Sequence, residues 1–159
     1  MAGDPGRKLI ASNRRARFDY ELLDHFEAGM VLLGPEVKSL RAGHASLSDA
    51  YATVRRGELW LVNAHISPYE QAGRENPEPR RERKLLMRKS EIARLSGKIH
   101  EKGFTLVPVS LYWKGGRAKC ELALARGKRR YDKRQTIRQR EEKREVARAM
   151  KSARGRRAR

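Results

Sequence analysis

The chain has 159 residues, the size of one domain with an appendage. Its formal net charge of +19 and pI near 10.9 strain any compact fold by self-repulsion unless a polyanion offsets them, and nucleic acid is the partner such a balance fits. No apolar run approaches a membrane span, no apolar region follows the basic start near Arg7, and a single cysteine, Cys120, excludes an internal disulfide, so a cytoplasmic protein without membrane contact is expected.

Residues 1–8 read as a loose leader. From Arg17 to Leu33 the residues RFDYELLDHFEAGMVLL suit strand or helix, and periodicity does not decide between them. GPEVKSLRAG then predicts a short helix: Gly34 can cap, Pro35 fits the first helical position, Val37 and Leu40 share a face, and Gly43 ends it. Lys38 and Arg41 lie on its other face. DAYATV and ELWLVNAHI, separated by Arg55-Arg56-Gly57, predict a hairpin. Ser67 to Arg83 is a polar, proline-containing loop, long enough to be functional or mobile. Ser90 is placed to cap a helix that buries Ile92, Leu95 and Ile99, carries Lys98 and Lys102 near its end and stops at Gly103.

FTLVPVSLYW and AKCELALA, joined through Lys114-Gly115-Gly116-Arg117, predict the last strand pair. Cys120, Leu122 and Leu124 alternate with Lys119, Glu121 and Ala123, giving a core face with a packed thiol and a wet face with Lys119 outward. Pro108 inside the first of these strands implies an edge or a bulge. The fold expected is therefore mainly β, a small antiparallel barrel over residues 9–126 with two or three flanking helices. An oligonucleotide-binding barrel leads, with a ferredoxin-like sheet as the alternative.

The charge concentrates after the barrel. From Gly127 onward 15 Lys and Arg face 4 Asp and Glu, a net of +11, against +8 for the rest. GKRRYDKRQTIRQREEKREVARAM has no helix breaker after Gly127, yet too little apolar surface to fold alone. Residues 127–159 are expected to be unstructured in the free protein and helical against a polyanion that neutralises them. Arg138 with Glu142, Glu141 with Arg144 and Glu145 with Arg148 sit at helical spacings that add about 0.2–0.5 kcal/mol each. Val146 and Met150 form a thin apolar stripe.

Catalytic chemistry has no anchor. His25, His44, His65 and His100 match no metal-ligand spacing, and no nucleophile elbow, phosphate loop or zinc-protease helix occurs. Isolated carboxylates such as Asp19 and Glu27 have no spacing that argues for acid–base work. The reading is a binding protein without cofactor, metal or catalytic residues.

NRRA (Asn13 to Ala16), FEAG (Phe26 to Gly29), GPEVKSLRAG (Gly34 to Gly43), RKLL (Arg83 to Leu86), SLYWK (Ser110 to Lys114) and GKRRYDKR (Gly127 to Arg134) occur in that order. With these motifs the chain closely resembles the SsrA-binding protein family, SmpB, from about Leu9 to Met150. The resemblance implies an oligonucleotide-binding barrel that holds the tRNA-like part of transfer-messenger RNA. It implies an adaptor role in trans-translation: delivery of that RNA, with elongation factor Tu, to the A site of stalled ribosomes, so that nascent chains are tagged for degradation and the ribosomes released. A monomer is expected.

By the same resemblance the RNA-binding surface comprises Asn13, Arg14, Arg15, Glu27, Lys38, Arg41, Lys84, Leu86 and Lys119. Glu27 could instead serve a local salt bridge, and Leu86 could be core. The tail, through Lys128, Arg129, Tyr131, Asp132, Lys133, Arg134, Ile137, Arg138 and Arg140, would occupy the decoding centre and the empty messenger channel against ribosomal RNA. Tyr131 falls where the family stacks an aromatic on a decoding-centre base, typically worth about 1–3 kcal/mol. Glu142 stands where many members have a tryptophan, so that residue's contacts do not carry over. The competing readings are a basic barrel that coats RNA without preference, a structural ribosomal protein, and an RNA-acting enzyme.

Overall fold

A computed structural model describes the backbone of residues 6–127 and 130–157 and the side chains of 6–100, 103–127 and 137–153. The elements run β1 (Arg7–Ser12), α1 (Arg14–Asp19), β2 (Tyr20–Met30), α2 (Gly34–Arg41), β3 (Ala45–Ser46), β4 (Tyr51–Arg55), β5 (Glu58–Val62) and β6 (His65–Ile66). A 3₁₀ turn (Glu70–Glu75), β7 (Arg83–Leu86), α3 (Lys89–Lys102), β8 (Thr105–Lys114), β9 (Arg117–Gly127) and α4 (Arg130–Arg157) complete the order. The chain divides into two units at Gly127.

In the first unit a seven-stranded antiparallel sheet has the order β1-β8-β4-β5-β7-β2-β9, and β9 pairs with β8 as well. The pairings therefore return on themselves through β8, β4, β5, β7, β2 and β9. Two joints are narrow: β4 meets β8 at Ala52 and Leu106 alone, and β2 meets β7 at Gly29 and Met30. The ferredoxin-like alternative does not fit, because the element order lacks its β-α-β-β-α-β repeat.

Turn chemistry explains the hairpins. Arg56 and Gly57 have φ of 53° and 74°, and Gly115 and Gly116 have 59° and 75°. Two successive positive φ values match the right-handed twist of the flanking strands. Inside the circuit, Leu59, Leu61, Leu106, Leu111, Cys120 and Leu122 are fully buried. Burial pushes the Cys120 thiol far above its ordinary value, as befits a packed side chain.

Several sequence-based boundaries move. Arg7 and Lys8, expected in a loose leader, belong to β1 and pair with Lys114 and Trp113. The undecided stretch splits into α1 and β2. Leu33 rather than Gly34 caps α2, with Glu36 reaching back to the Leu33 amide at 2.9 Å. Arg88 rather than Ser90 flanks the start of α3, while Gly103 closes it in the left-handed conformation as expected. ELWLVNAHI is not one strand: Asn63 turns at φ 62°, and His65–Ile66 pairs with Ala45–Ser46 in a separate two-stranded sheet. Pro108 does mark a bulge, since the β8–β9 register shifts between Pro108 and Ser110.

The loop after β6 is tied down by charge. Glu36 and Arg83 are buried, at 2% and 0% exposure. Arg83 Nε donates to Glu36 Oε2 at 2.6 Å, and its Nη1 and Nη2 donate to the Ala64 and Pro79 carbonyls at 2.5 and 2.9 Å. Arg81 Nη2 donates to Glu36 Oε1 at 2.5 Å. Burial alone would raise the Glu36 carboxyl, but donation from Arg81, the Leu33 amide and Arg83 outweighs it and holds the group below its ordinary value. Desolvation lowers Arg83. Asn76 closes the loop on itself, accepting from the Tyr69 amide at 2.9 Å and donating to its carbonyl at 2.8 Å.

Because the folded carboxyl is depressed, its contribution is present at neutral pH and is lost as pH falls through the carboxylate range. Removing one partner of such a buried pair costs about 3–5 kcal/mol. Glu36→Gln is therefore expected to lower the urea-unfolding free energy by about that much at neutral pH. The deficit relative to wild type should shrink progressively below about pH 4.5. A pH-independent deficit would assign the loss to packing instead.

Candidate nucleic-acid interface

Strand alternation assigns the outer face of the sheet. On β2, Ala28 is buried in the core, so Glu27 and Gly29 point away from it. Gly29 pairs with Leu86 of β7 on one side and with Lys119 of β9 on the other. A Cβ at position 29 would lie 3.4 Å from Leu86 Cβ and 3.8 Å from Lys119 Nζ. Glycine there forms a shallow floor between an exposed leucine and an ammonium group. Leu86 is 52% exposed, which removes the reading that it is core. On β7 Lys84 shares the face and donates to Glu58 at 3.1 Å.

Glu27 is held by neighbours that sequence reasoning missed. Its Oε2 accepts from the Tyr112 hydroxyl and lies 3.4 Å from Lys114 Nζ. Donation from Tyr112, aided by Lys114 and Lys119, holds the Glu27 carboxyl below its ordinary value against some desolvation. Burial and the same carboxylate push the Tyr112 hydroxyl up, so the phenol keeps its proton. The Arg7 guanidinium covers the Tyr112 ring at 3.5 Å and donates to Ser110 Oγ at 3.1 Å. Glu121 Oε2 lies 3.4 Å from Arg7, and its Oε1 lies 3.5 Å from His25 Nδ1. Tyr112 sits in SLYWK, but only the β8–β9 register, Tyr112 opposite Lys119, shows which way it faces.

Further along the same face the sheet is dry. Ala123 of β9, expected on a wet face, is fully buried with Ala125, Val107, Val109 and Ala16 in a second cluster under α1. Asn13 makes this possible. Its amide donates to Val109 O at 2.8 Å and its Nδ2 to Pro108 O at 2.9 Å, while its Oδ1 caps α1 by accepting from the Ala16 amide at 3.2 Å. Asn13 is thus a buried pin at the bulge rather than a group offered to a ligand. It sets Arg14 and Arg15 outward on α1, both exposed, with Arg15 3.3 Å from Asp19.

Lys38 and Arg41 are exposed on α2, and Lys38 Nζ sits 5.5 Å from the Tyr69 ring. In the second unit, Ile137, Arg138 and Arg140 are exposed on α4. Tyr131, Asp132, Lys133 and Arg134 lie on its backbone with their side chains outside the described residues. Lys128 and Arg129 lie outside them altogether. Residues 130–157, expected to be unstructured in the free protein, form one helix here, with every described side chain on it exposed. Among the described residues no group of histidine, cysteine and carboxylate side chains could hold a metal, and no helix is long and apolar enough to cross a membrane.

Of the expected surface, Glu27, Lys84, Leu86 and Lys119 come together on one strip. It offers cations for phosphates, a fixed carboxylate for amino or hydroxyl donors, and an apolar shelf for a base or ribose.

A family model described as SmpB protein matches residues 10–152. An SsrA-binding protein of Symbiobacterium thermophilum is 61% identical over 143 residues, covering 89% of this chain and 90% of its own. That of Acidothermus cellulolyticus is 60% identical over 150 residues, covering 94% of each. A chain from a solved structure described as "tmRNA-SmpB: a journey to the center of the bacterial ribosome" is 50% identical with a TM-score of 0.65, covering 80% of this chain and 94% of that one. By its motifs, its strand pairings and these matches, the chain belongs to the SmpB family of SsrA-binding proteins.

Proposed function

We propose that this chain is a non-enzymatic RNA-binding adaptor for trans-translation. In this reading the closed strand circuit is an oligonucleotide-binding barrel whose outer strip grips the tRNA-like domain of transfer-messenger RNA. The observation that carries it is the outward strip in which Leu86 and Lys119 flank Gly29, with Glu27 and Lys84 two residues along from Gly29 and Leu86. Folded RNA is recognised by shape, backbone and unstacked bases, which asks for such groups on a rigid frame. Arg14 and Arg15, held outward by the Asn13 pin, and Lys38 and Arg41 on α2 add phosphate contacts.

The tail acts on the ribosome. Its 28-residue helix is about 42 Å long and carries cations all round, a shape that suits a channel lined by ribosomal RNA. Tyr131 stacks at the decoding centre, with Lys128, Arg129, Asp132, Lys133 and Arg134 beside it. Ile137, Arg138 and Arg140 follow into the empty messenger channel. In the free protein the helix has no apolar face to stabilise it, and it becomes persistent only when ribosomal RNA neutralises its charge. The adaptor works as a cytoplasmic monomer, delivered with its RNA and elongation factor Tu.

Glu27→Ala and Lys119→Ala are each expected to weaken binding of the tRNA-like RNA about tenfold, the scale of one charge-assisted hydrogen bond, with the far-UV circular dichroism of the wild type. Tyr112→Phe should reproduce part of the Glu27 loss. Competition with bulk tRNA at physiological salt separates this from a barrel that coats RNA without preference. Unchanged affinity in well-folded variants of both residues would remove them from the interface.

Arg14→Ala and Arg15→Ala test the electrostatic part. Each lost phosphate contact should lower the slope of log K against log salt concentration by about 0.7–0.9. Weaker binding with an unaltered slope would mean that these arginines act through α1 instead.

Truncation after Gly127 removes the second unit and leaves every strand, so the barrel should fold and bind the RNA as before. Tagging of stalled nascent chains in a reconstituted translation system should fail, and Tyr131→Ala should cause part of that failure. Loss of RNA binding with ribosome entry preserved would invert this division of labour.

A further inference from the structure

The outer strip continues one strand past Lys84. Trp60 of β5 pairs with Lys84, and its neighbours Leu59 and Leu61 are fully buried, so the half-buried indole faces outward beside the lysine. The Arg55 guanidinium lies 5.5 Å from the indole centroid and is ion-paired with Glu82. Arg56 is exposed at the adjoining turn. Arg55, Arg56, Glu58, Trp60 and Glu82 line an open cleft of about 390 Å³. Leu59 and Leu61 supply the packing of this strand, so the core does not require an outward indole.

We propose that Trp60 and Arg55 form a stacking subsite for one unpaired base of the bound RNA, with Arg56 and Lys84 meeting the phosphates on either side. This rests on the RNA-binding reading above and extends it. The strip from Lys119 to Leu86 offers charge and hydrogen bonding, but its Tyr112 ring is buried beneath Arg7, and an unstacked base is held best by an open flat π surface. The Arg55 guanidinium lies over the Trp60 ring at 5.5 Å, near the outer limit of a cation–π contact, so a base reaches that face by displacing a weakly held neighbour. Glu58 and Glu82 hold Lys84 and Arg55 in place until phosphate replaces them. Three strand steps separate Trp60 on β5 from Lys119 on β9, about 14 Å at the usual strand spacing, a distance a few nucleotides cover.

The chain has two tryptophans, so a Trp113→Phe background makes Trp60 the sole indole reporter. Titrating that protein with the tRNA-like domain of transfer-messenger RNA should quench Trp60 emission and shield it from iodide. Trp60→Leu should weaken binding about fivefold or more, the low end for one base–aromatic stack, without changing the salt slope, while Trp60→Phe should retain most of the affinity. Lys84→Ala should lower the slope by up to about 0.9. Unaltered Trp60 emission, with Trp60→Leu binding like wild type while Glu27→Ala still binds weakly, overturns the subsite alone. If Glu27→Ala and Lys119→Ala also bind like wild type, the reading beneath it fails.

Discussion

The outer face of this protein depends on two shifts of strand parity. Along β8, Val107 and Val109 face outward to meet α1, and so do Ser110 and Tyr112. A regular strand cannot place residues 109 and 110 on the same side. The bulge between Pro108 and Ser110 makes it possible, and the shift between Leu22 and His25 does the same for β2. One face thus becomes dry beneath α1 and wet beside it. Bulges serve this re-aiming in many sheets, and Asn13 is bonded to the carbonyls that this one presents.

Two carboxylates show how a strongly basic chain uses its acids. Glu36 is buried and gathers Arg81 and Arg83, converting a 16-residue polar connection into a fixed part of the fold. Glu27 lies in the open, with one oxygen engaged by Tyr112 and Lys114. The first acts by eliminating unpaired buried charge, the second by presenting an oriented acceptor amid cations. Each is kept ionised at neutral pH by donors rather than by exposure alone.

The second unit follows a different logic. α4 has good helix formers and Glu–Arg spacings, and among its described side chains the apolar Ile137, Val146 and Met150 stand exposed. Helices in globular proteins owe most of their stability to packing, and this one has charge where packing would be. Its described side chains are all exposed, whereas those of β8 and β9 are largely buried.

Composition and local pattern determined the basic character, the two hairpin turns, the short helix after Gly34, the stop at Gly103, an edge or a bulge at Pro108 and, through six ordered motifs, the family. These follow from local φ/ψ demands and from residue identity, which a linear text carries. The sequence also pointed to Glu27, Leu86 and Lys119, but not to what joins them. That Gly29 is a floor between two strands, that Tyr112 and Lys114 hold Glu27, that Asn13 is a pin, and that Glu36 is buried against Arg83 were decided by tertiary structure alone. Each depends on contacts between elements far apart in sequence, such as Tyr112 with Glu27 at a separation of 85. Register is set by the whole sheet closing on one core, and no local window contains that constraint.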